Sequence, residues 1–432
     1  MGMSRFKHKV ARLSDARVYC VAGPHARDEA RLLRLAAGIR LTTTPRAANI
    51  LLIAGGLEAG LIAPALVTHD ALPCPRAIVW WRLGTEGGLV SLNFPDALVV
   101  DELDPVPALR RVHEELVSGK RRGDTPLLPD VEPAPWRGVG PYGQGGKAMT
   151  GGVPYGRPLP ERADDRDGLK LDYLPVRIGP LFAPFPAGLA LDVKLQGDVI
   201  QQATLENFSA ASTNQASIFH RALTEQVAVR DLELARARSH LHWLSDAMAV
   251  AGSPSLSERI LRLAQRVAPG DGDHIRALER TLRRRGFLGW STRGVGILKA
   301  DALKGVSGPV ARASGIPVDA RLEEPSYQLL GFEPVLHEGA DAAARWLQRI
   351  REAAQALDLA DRSGDARTGA AGITESPRGV LTEHGGSSHA IARLVPSLLA
   401  GMEWGDAVAA VVSLDLDMSE GEALIHKTSA TS

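Results

Sequence analysis

Asn49-Ile-Leu-Leu-Ile-Ala54 is apolar from Ile50 onward and closes at Gly55-Gly56. A run this short, bounded by turn residues and without polar alternation, reads as a strand buried on both faces. Three other runs share the pattern. Val18-Tyr19-Cys20-Val21-Ala22 ends at Gly23-Pro24, and Ala77-Ile78-Val79-Trp80-Trp81 and Ala97-Leu98-Val99-Val100-Asp101 follow it. Between them lie helix-like stretches. Asp28 to Ala37 carries leucines at positions 32, 33 and 35, and Gly38 stops it. Pro107 to Ser118 is a closing helix, with Pro107 suited to its first turn. Doubly buried strands separated by helices predict an α/β domain with a small parallel sheet over residues 1–120.

Downstream the composition changes twice. Residues 121–165 mix Pro126, Pro129, Pro133, Pro135, Pro141, Pro154, Pro158 and Pro160 with glycines from 138 to 156, and no hydrophobic period survives. That predicts a linker or extended arm. From Leu189, apolar residues at 189, 191, 193 and 195 alternate with Ala190, Asp192, Lys194 and Gln196. Gly197-Asp198 then turns the chain into Val199-Ile200. This is a β-hairpin with one wet face. A long amphipathic helix is expected from Ala222 to Ala251, stopped by Gly252 and Pro254. Further helices are expected at 255–267, 273–285, 340–360, 388–400 and 404–413. Residues 166–432 thus read as an α+β, mainly helical domain.

Composition removes several function classes. The chain has 432 residues, with 50 Lys+Arg against 50 Asp+Glu, so a broadly nucleic-acid-binding surface is not expected. No run of about 18 apolar residues exists, so no membrane span is expected. The basic start, Met-Gly-Met-Ser-Arg-Phe-Lys-His-Lys-Val, lacks the apolar core of a signal peptide, which makes the cytoplasm the expected compartment. Cys20 and Cys74 are the only cysteines, too few for a disulfide framework, an all-cysteine zinc site or a self-contained four-cysteine cluster.

Short motifs add little chemistry. Gly140-Pro-Tyr-Gly-Gln-Gly-Gly146-Lys147-Ala148 has Pro141 where a phosphate-binding loop needs glycine, and Ala148 in place of its Ser/Thr. His384-Gly385-Gly386-Ser387 echoes an esterase oxyanion loop, but no Gly-x-Ser-x-Gly elbow accompanies it. His240 and His242 fall on different faces of one helix, and His384 and His389 are poorly spaced for a shared ligand, so packed or surface histidines are expected. Arg276, Arg280, Arg283, Arg284 and Arg285 form a basic segment, read as a solvated helix face or a surface for an acidic partner protein. Trp80-Trp81 fits either a core edge or an interface.

Four stretches of the second half carry a family resemblance. They are Ile178-Gly-Pro-Leu-Phe-Ala-Pro-Phe-Pro-Ala-Gly-Leu-Ala-Leu-Asp-Val with Gln196-Gly-Asp-Val-Ile, and Glu233-Leu-Ala-Arg-Ala-Arg-Ser-His-Leu-His-Trp-Leu. Ser307-Gly-Pro-Val-Ala-Arg-Ala-Ser-Gly-Ile with Asp319-Ala-Arg321 is the most specific. Glu375-Ser-Pro-Arg-Gly-Val with Val412-Ser-Leu-Asp415 completes the set. In this order they resemble the hydrogenase-like large subunit shared by respiratory complex I and membrane-bound nickel–iron hydrogenases. Thr44-Pro-Arg-Ala-Ala-Asn-Ile-Leu-Leu-Ile-Ala-Gly-Gly, Ala63-Pro-Ala-Leu and Pro75-Arg-Ala-Ile-Val resemble the cluster-bearing small subunit of the same complexes. The resemblance implies a fusion of the two types, with the second half of the hydrogenase large-subunit fold.

The departures from that family decide the expected chemistry. Nickel–iron sites need two Cys-x-x-Cys pairs, and none occurs. The small-subunit cluster needs four cysteines, where this chain has Trp81-Arg-Leu-Gly and Asp104-Pro-Val-Pro. The family's quinone-cleft histidine in the opening hairpin has no counterpart, since that stretch offers Phe182 and Phe185. The resemblance implies a redox-inactive structural subunit, without its own metal centre or cofactor, docked on antiporter-like membrane subunits at the cytoplasmic membrane face. A parent cleft would persist around Arg312, Asp319, Arg321, Arg378 and Asp415, with structural salt bridges as the other account of these residues. Two alternatives are an active quinone-binding oxidoreductase subunit fed by a cluster on another chain, and a free-standing binding module.

Overall fold

A computed structural model describes residues 11, 13–83, 88–130, 162–164, 168–206 and 217–420. The four apolar runs are strands β1 (Ala16–Ala22), β3 (Ile50–Ala54), β4 (Ala77–Trp81) and β5 (Leu98–Val100). A short edge strand, β2 (Ile39–Leu41), joins them. All pair in parallel in the order β2-β1-β3-β4-β5. Helices cover both faces: α1 (Arg27–Leu32) and α4 (Val106–Ser118) on one, α2 (Ala59–Ala71) and α3 (Gly88–Asn93) on the other. The period-two geometry of a strand sorts the side chains. Val18, Ile50, Leu52 and Val79 enter the first layer, while Tyr19, Val21, Leu51, Ile53 and Ile78 enter the second.

The tryptophan pair follows the same rule. Trp80 and Trp81 are both buried, on opposite faces of β4, so they are core residues. The helix expected over 28–37 is shorter: α1 ends at Leu32 and tightens into a 3-10 turn, Leu33–Leu35. The start of the expected arm is anchored on the sheet. The Asp124 carboxylate accepts from the Ile78 N–H at 2.8 Å, and Asp70 accepts from the N–H groups of Leu127 and Leu128. The loop at 140–148 lies outside the described residues.

The remaining chain begins with a small hairpin, β6 (Arg162–Asp164) and β7 (Lys170–Asp172), and a three-stranded antiparallel sheet of β8 (Leu174–Ile178), β9 (Leu191–Gln196) and β10 (Val199–Leu205). The expected hairpin is β9–β10, and β8 is a third strand beside it. Then come α5 (Ile218–Thr224), α6 (Val229–Val250), α7 (Pro254–Arg266), α8 (Gly272–Arg284), the short α9 (Pro309–Arg312) and α10 (Pro325–Leu329), and α11 (Ala342–Arg362). The chain closes with β11 (Ile373–Ser376), β12 (Gly379–Thr382), α12 (Ser388–Ala392), α13 (Val395–Leu399) and α14 (Trp404–Leu414).

Two expected helices are broken. The segment over 222–251 divides because residues 225–228 are extended and bond elsewhere: Thr368 N–H to Val227 O at 2.9 Å and Val229 N–H to Ala366 O at 2.9 Å. The helix over 388–400 divides at Arg393-Leu394, just before Pro396, which has no N–H to continue the ladder and sits in the first turn of the second helix.

Long helices α6 and α11 pack with α7 and α8 around Leu241, Leu244, Ile260, Leu282, Trp346 and Ile350. A second core joins the antiparallel sheet to α9 and α12–α14 through Leu191, Ile200, Val310, Val395 and Val411. The two halves of the chain touch. Arg31 forks onto Asp246 of α6 at 2.9–3.2 Å, with Arg34 on the same carboxylate, and Arg27 pairs with Asp417 at 2.7 Å. The Tyr19 hydroxyl donates to Leu181 O, and Asp28 lies 3.3 Å from the His242 ring.

Candidate functional site: a buried ionic network

The central polar feature lies where α6, α9, α11 and β11 meet. Its placement begins at Ser307-Gly-Pro. Gly308 has φ 81, and a Cβ there would lie 2.2 Å from Arg378 O, so only glycine lets this loop rest on the β11–β12 turn. Pro309 starts α9 at the position where a missing N–H costs nothing. One turn later, Arg312 enters the core with no exposure to solvent.

Arg312 meets three carboxylates. It forks onto Glu352 at 2.8 and 3.0 Å, and its Nη1 reaches Glu375 at 2.7 Å and Asp319 at 2.9 Å. Arg321 forks onto Asp319 at 2.9 and 2.7 Å and continues to Glu233 at 3.3 Å. Glu233 also accepts from the Tyr327 hydroxyl at 2.6 Å and from Arg236 at 3.1 Å. Arg321 lies over the Phe332 ring, 4.1 Å from its centroid. His240, two turns along α6 from Glu233, stands 3.5 Å from Glu352.

Such a cluster is stable only when each buried charge is paired. Here the sum is uneven: Glu233, Asp319, Glu352 and Glu375 face Arg236, Arg312 and Arg321. Burial, and then the neighbouring Asp319 charge, push the Glu375 carboxyl up to about 7. Burial also pushes Glu352 upward, but Arg312 overrides it and holds Glu352 well below the carboxylate range. Burial lowers His240, keeping it neutral. Of the network's carboxyls, Glu375 is thus the one set to titrate near neutral pH.

Arg378 and Asp415 belong to an adjoining group. Asp415, in left-handed backbone at the end of α14, meets Arg349 at 3.1 Å and Arg378 at 3.5 Å. Arg378 also pairs with Glu420 at 2.9 Å. Asp417 completes the chain of ions to Arg27 of the first half. Of the five residues expected to line a cleft, Arg312, Asp319 and Arg321 are brought together, but sealed from solvent and tied into ion pairs. Arg378, in the turn between β11 and β12, and Asp415 belong to the adjoining group instead.

Sequence reading missed Arg236, Glu352, Tyr327 and Arg349. A signal existed: Glu233, Arg236 and His240, and likewise Arg345, Gln348, Arg349 and Glu352, recur at three, four and seven residues on helices whose neighbouring positions are apolar. Of the other histidines, His384 is exposed and His389 Nδ1 lies 3.1 Å from Glu420 O.

The positions matched to small-subunit cluster ligands hold other chemistry. The Trp81 indole donates to Glu102 O at 2.9 Å, and Arg82 pairs with Asp101. Asp104 accepts from the Val106 N–H. Burial pushes the Cys20 thiol up to about 12, so it stays protonated, and Cys74 is exposed. These residues do not fit an iron–sulfur cluster, which needs four thiolates. Among the described residues, no three His, Cys, Asp or Glu side chains gather to hold a metal.

Residues 255–383 match the family described as respiratory-chain NADH dehydrogenase, 49 Kd subunit. That stretch is similar to complex I large subunits. It contains α9, Asp319, Arg321, Glu352, Glu375 and Arg378. The chain is 36 % identical over 94 residues to a D-type NADH-quinone oxidoreductase subunit of Sinorhizobium medicae, covering 21 % of this chain and 23 % of that protein. It is 46 % identical over 77 residues to the D-type counterpart from Streptomyces coelicolor, covering 16 % and 20 %. A D-type F(420)H(2) dehydrogenase subunit of Methanosarcina mazei is 38 % identical over 78 residues, covering 17 % and 21 %. The matched stretches thus span less than a quarter of each relative's length. No helix among the described residues is long and apolar enough to cross a membrane.

Proposed function

We propose that this protein is a redox-inactive structural and docking subunit of a complex-I-like or hydrogenase-like oxidoreductase assembly. It joins a small-subunit-like part, residues 1–120, to a large-subunit-like part, residues 166–432, through the segment 121–165. It sits at the cytoplasmic membrane face against antiporter-like membrane subunits. The observation that carries this reading is the buried network around Arg312. Its Arg312, Asp319, Arg321, Glu352 and Glu375 lie within the stretch matched to complex I large subunits, while Glu233 and Arg236 come from α6 outside it, and every charged group in it is held by protein neighbours. A scaffold needs such a fixed interior, and electron transfer needs a redox centre for which these side chains supply no ligand set.

The test is isolation of the native protein from gently solubilised membranes, with its companions identified and iron and nickel measured. Recovery with membrane subunits, and with no metal assignable to this chain, is the expected result. Recovery alone from the soluble fraction overturns the reading. Bound quinone that protects residues of the 178–189 segment from chemical modification would establish the active alternative. A simpler check concerns the thiols: the native protein should react at Cys74 alone with a maleimide at pH 8, and at both cysteines in denaturant. Rapid native labelling of Cys20 would contradict a shielded, protonated thiol.

A further inference from the structure

The basic segment of α8 is not fully used by the fold. Between α8 and α11 lies a groove of about 570 Å³, floored by Ile350 and Ala354 and edged by Arg276, Arg280, Arg351 and Arg362. Two carboxylates share it, and both are engaged: Glu279 lies between Arg283 and Arg351, and Asp358 pairs with Arg276. Arg276 also pairs with Asp273 at 2.9 Å, so Arg280 and Arg362 are the two groove arginines without a carboxylate partner among the described residues, and they leave the groove positive. Beyond its end, Arg284, Arg285 and Arg293 are exposed and, like Arg280, have no carboxylate within ion-pair distance among the described residues. Trp290 stands among them on the turn after α8, 95 % exposed, with its backbone N–H bonded to Gly286 O at 2.9 Å. Water is a poor environment for a whole indole, and arginine and tryptophan are the residues most enriched in interface hot spots.

We propose that this groove and Trp290 form a docking surface for an acidic segment of another protein subunit, its carboxylates bridging the arginine rows and an apolar pocket receiving the indole. The inference rests on the assembly reading above and assigns it a face. Two features favour a protein over an anionic bilayer. The charge lines a concave groove that a flat headgroup layer does not enter. The cations are also all arginine, whose planar fork matches single carboxylates.

The experiment uses the full chain in its native assembly. A photoreactive amino acid at exposed Ser291 leaves Trp290 intact, and the cross-linked peptide is sequenced. The expected product joins this chain to an Asp/Glu-bearing stretch of a companion subunit. Separately, Arg280→Glu with Arg284→Glu, and Trp290→Ala alone, should each cut the recovered companion about tenfold or more, with unchanged melting temperature. The wild-type interaction should also weaken as salt rises. A cross-link to lipid or to a second copy, or undiminished recovery with both variants, overturns the surface while leaving the assembly standing. Wild-type protein that recovers no companion overturns both.

Discussion

The two halves of this chain solve the same packing problem in opposite ways. The parallel sheet is held by side chains without charge: Ile50, Leu51, Leu52, Ile53 and Val79 are fully buried between two helix layers. The helical half buries apolar residues too, yet its largest fully buried side chains are Arg236, Arg312, Arg345 and Arg349. Apolar packing is tolerant, since many shapes of similar volume fill one space. An ionic core is not: each guanidinium must find its partners in fixed directions, and one missing partner strands the rest. The difference locates rigidity of arrangement in the half that resembles a complex I subunit.

Removing one ion should therefore hurt more than removing one hydrocarbon. Arg312→Met leaves Glu352 and Glu375 buried without their main partner and should cost about 3–5 kcal/mol in urea unfolding. Replacing all three residues together, as Arg312→Met with Glu352→Leu and Glu375→Leu, should recover part of that loss. A triple variant weaker than the single one would mean the charges stabilise by more than mutual neutralisation. Leu52→Ala, the matching cut in the sheet, should cost about 2–5 kcal/mol through its cavity, with no dependence on pH near neutrality.

Acidity separates the halves further. Glu375 sits near 7 in the folded chain against an ordinary 4.5. Its raised value means the folded state holds the proton where the unfolded state has lost it. Its stabilising share is full below about pH 4.5 and is lost as pH rises through 7. Glu375→Gln should flatten that fall in a stability profile taken from pH 5 to 8, and an unchanged slope would assign the proton elsewhere. The contact between the halves should matter least. Burial pushes Asp246 up, but Arg31 and Arg34 pull it down to about 2. Its carboxylate is more than a third exposed, so Asp246→Asn should cost about 0–1 kcal/mol. A larger loss, measured by thermal melting at low and high salt, would make the junction part of the core.

The broken helices show where local reading fails. Residues 225–228 carry no proline or glycine to stop a helix, and only their pairing with 366–368 draws them out. The division near Pro396 was legible, since a proline inside a helix removes a bond wherever the chain goes. Arg312, Asp319 and Arg321 were selected through a family resemblance. Their convergence with Glu233, Glu352 and Glu375 joins residues up to 142 positions apart, between Glu233 and Glu375, and no local pattern encodes such a meeting.

By itself, the sequence determined the parallel sheet, because a strand covered on both faces must be apolar at every position and that requirement is written locally. It also determined the poverty of thiolate ligands, because composition is independent of folding. Tertiary structure alone decided that the inward faces of α6 and α11 are charged, that the Glu375 carboxyl is raised toward neutral pH, and that the arginines of α8 border a groove. Those properties depend on which charges come within a few ångströms of one another once water is excluded, and that distance exists only in the folded chain.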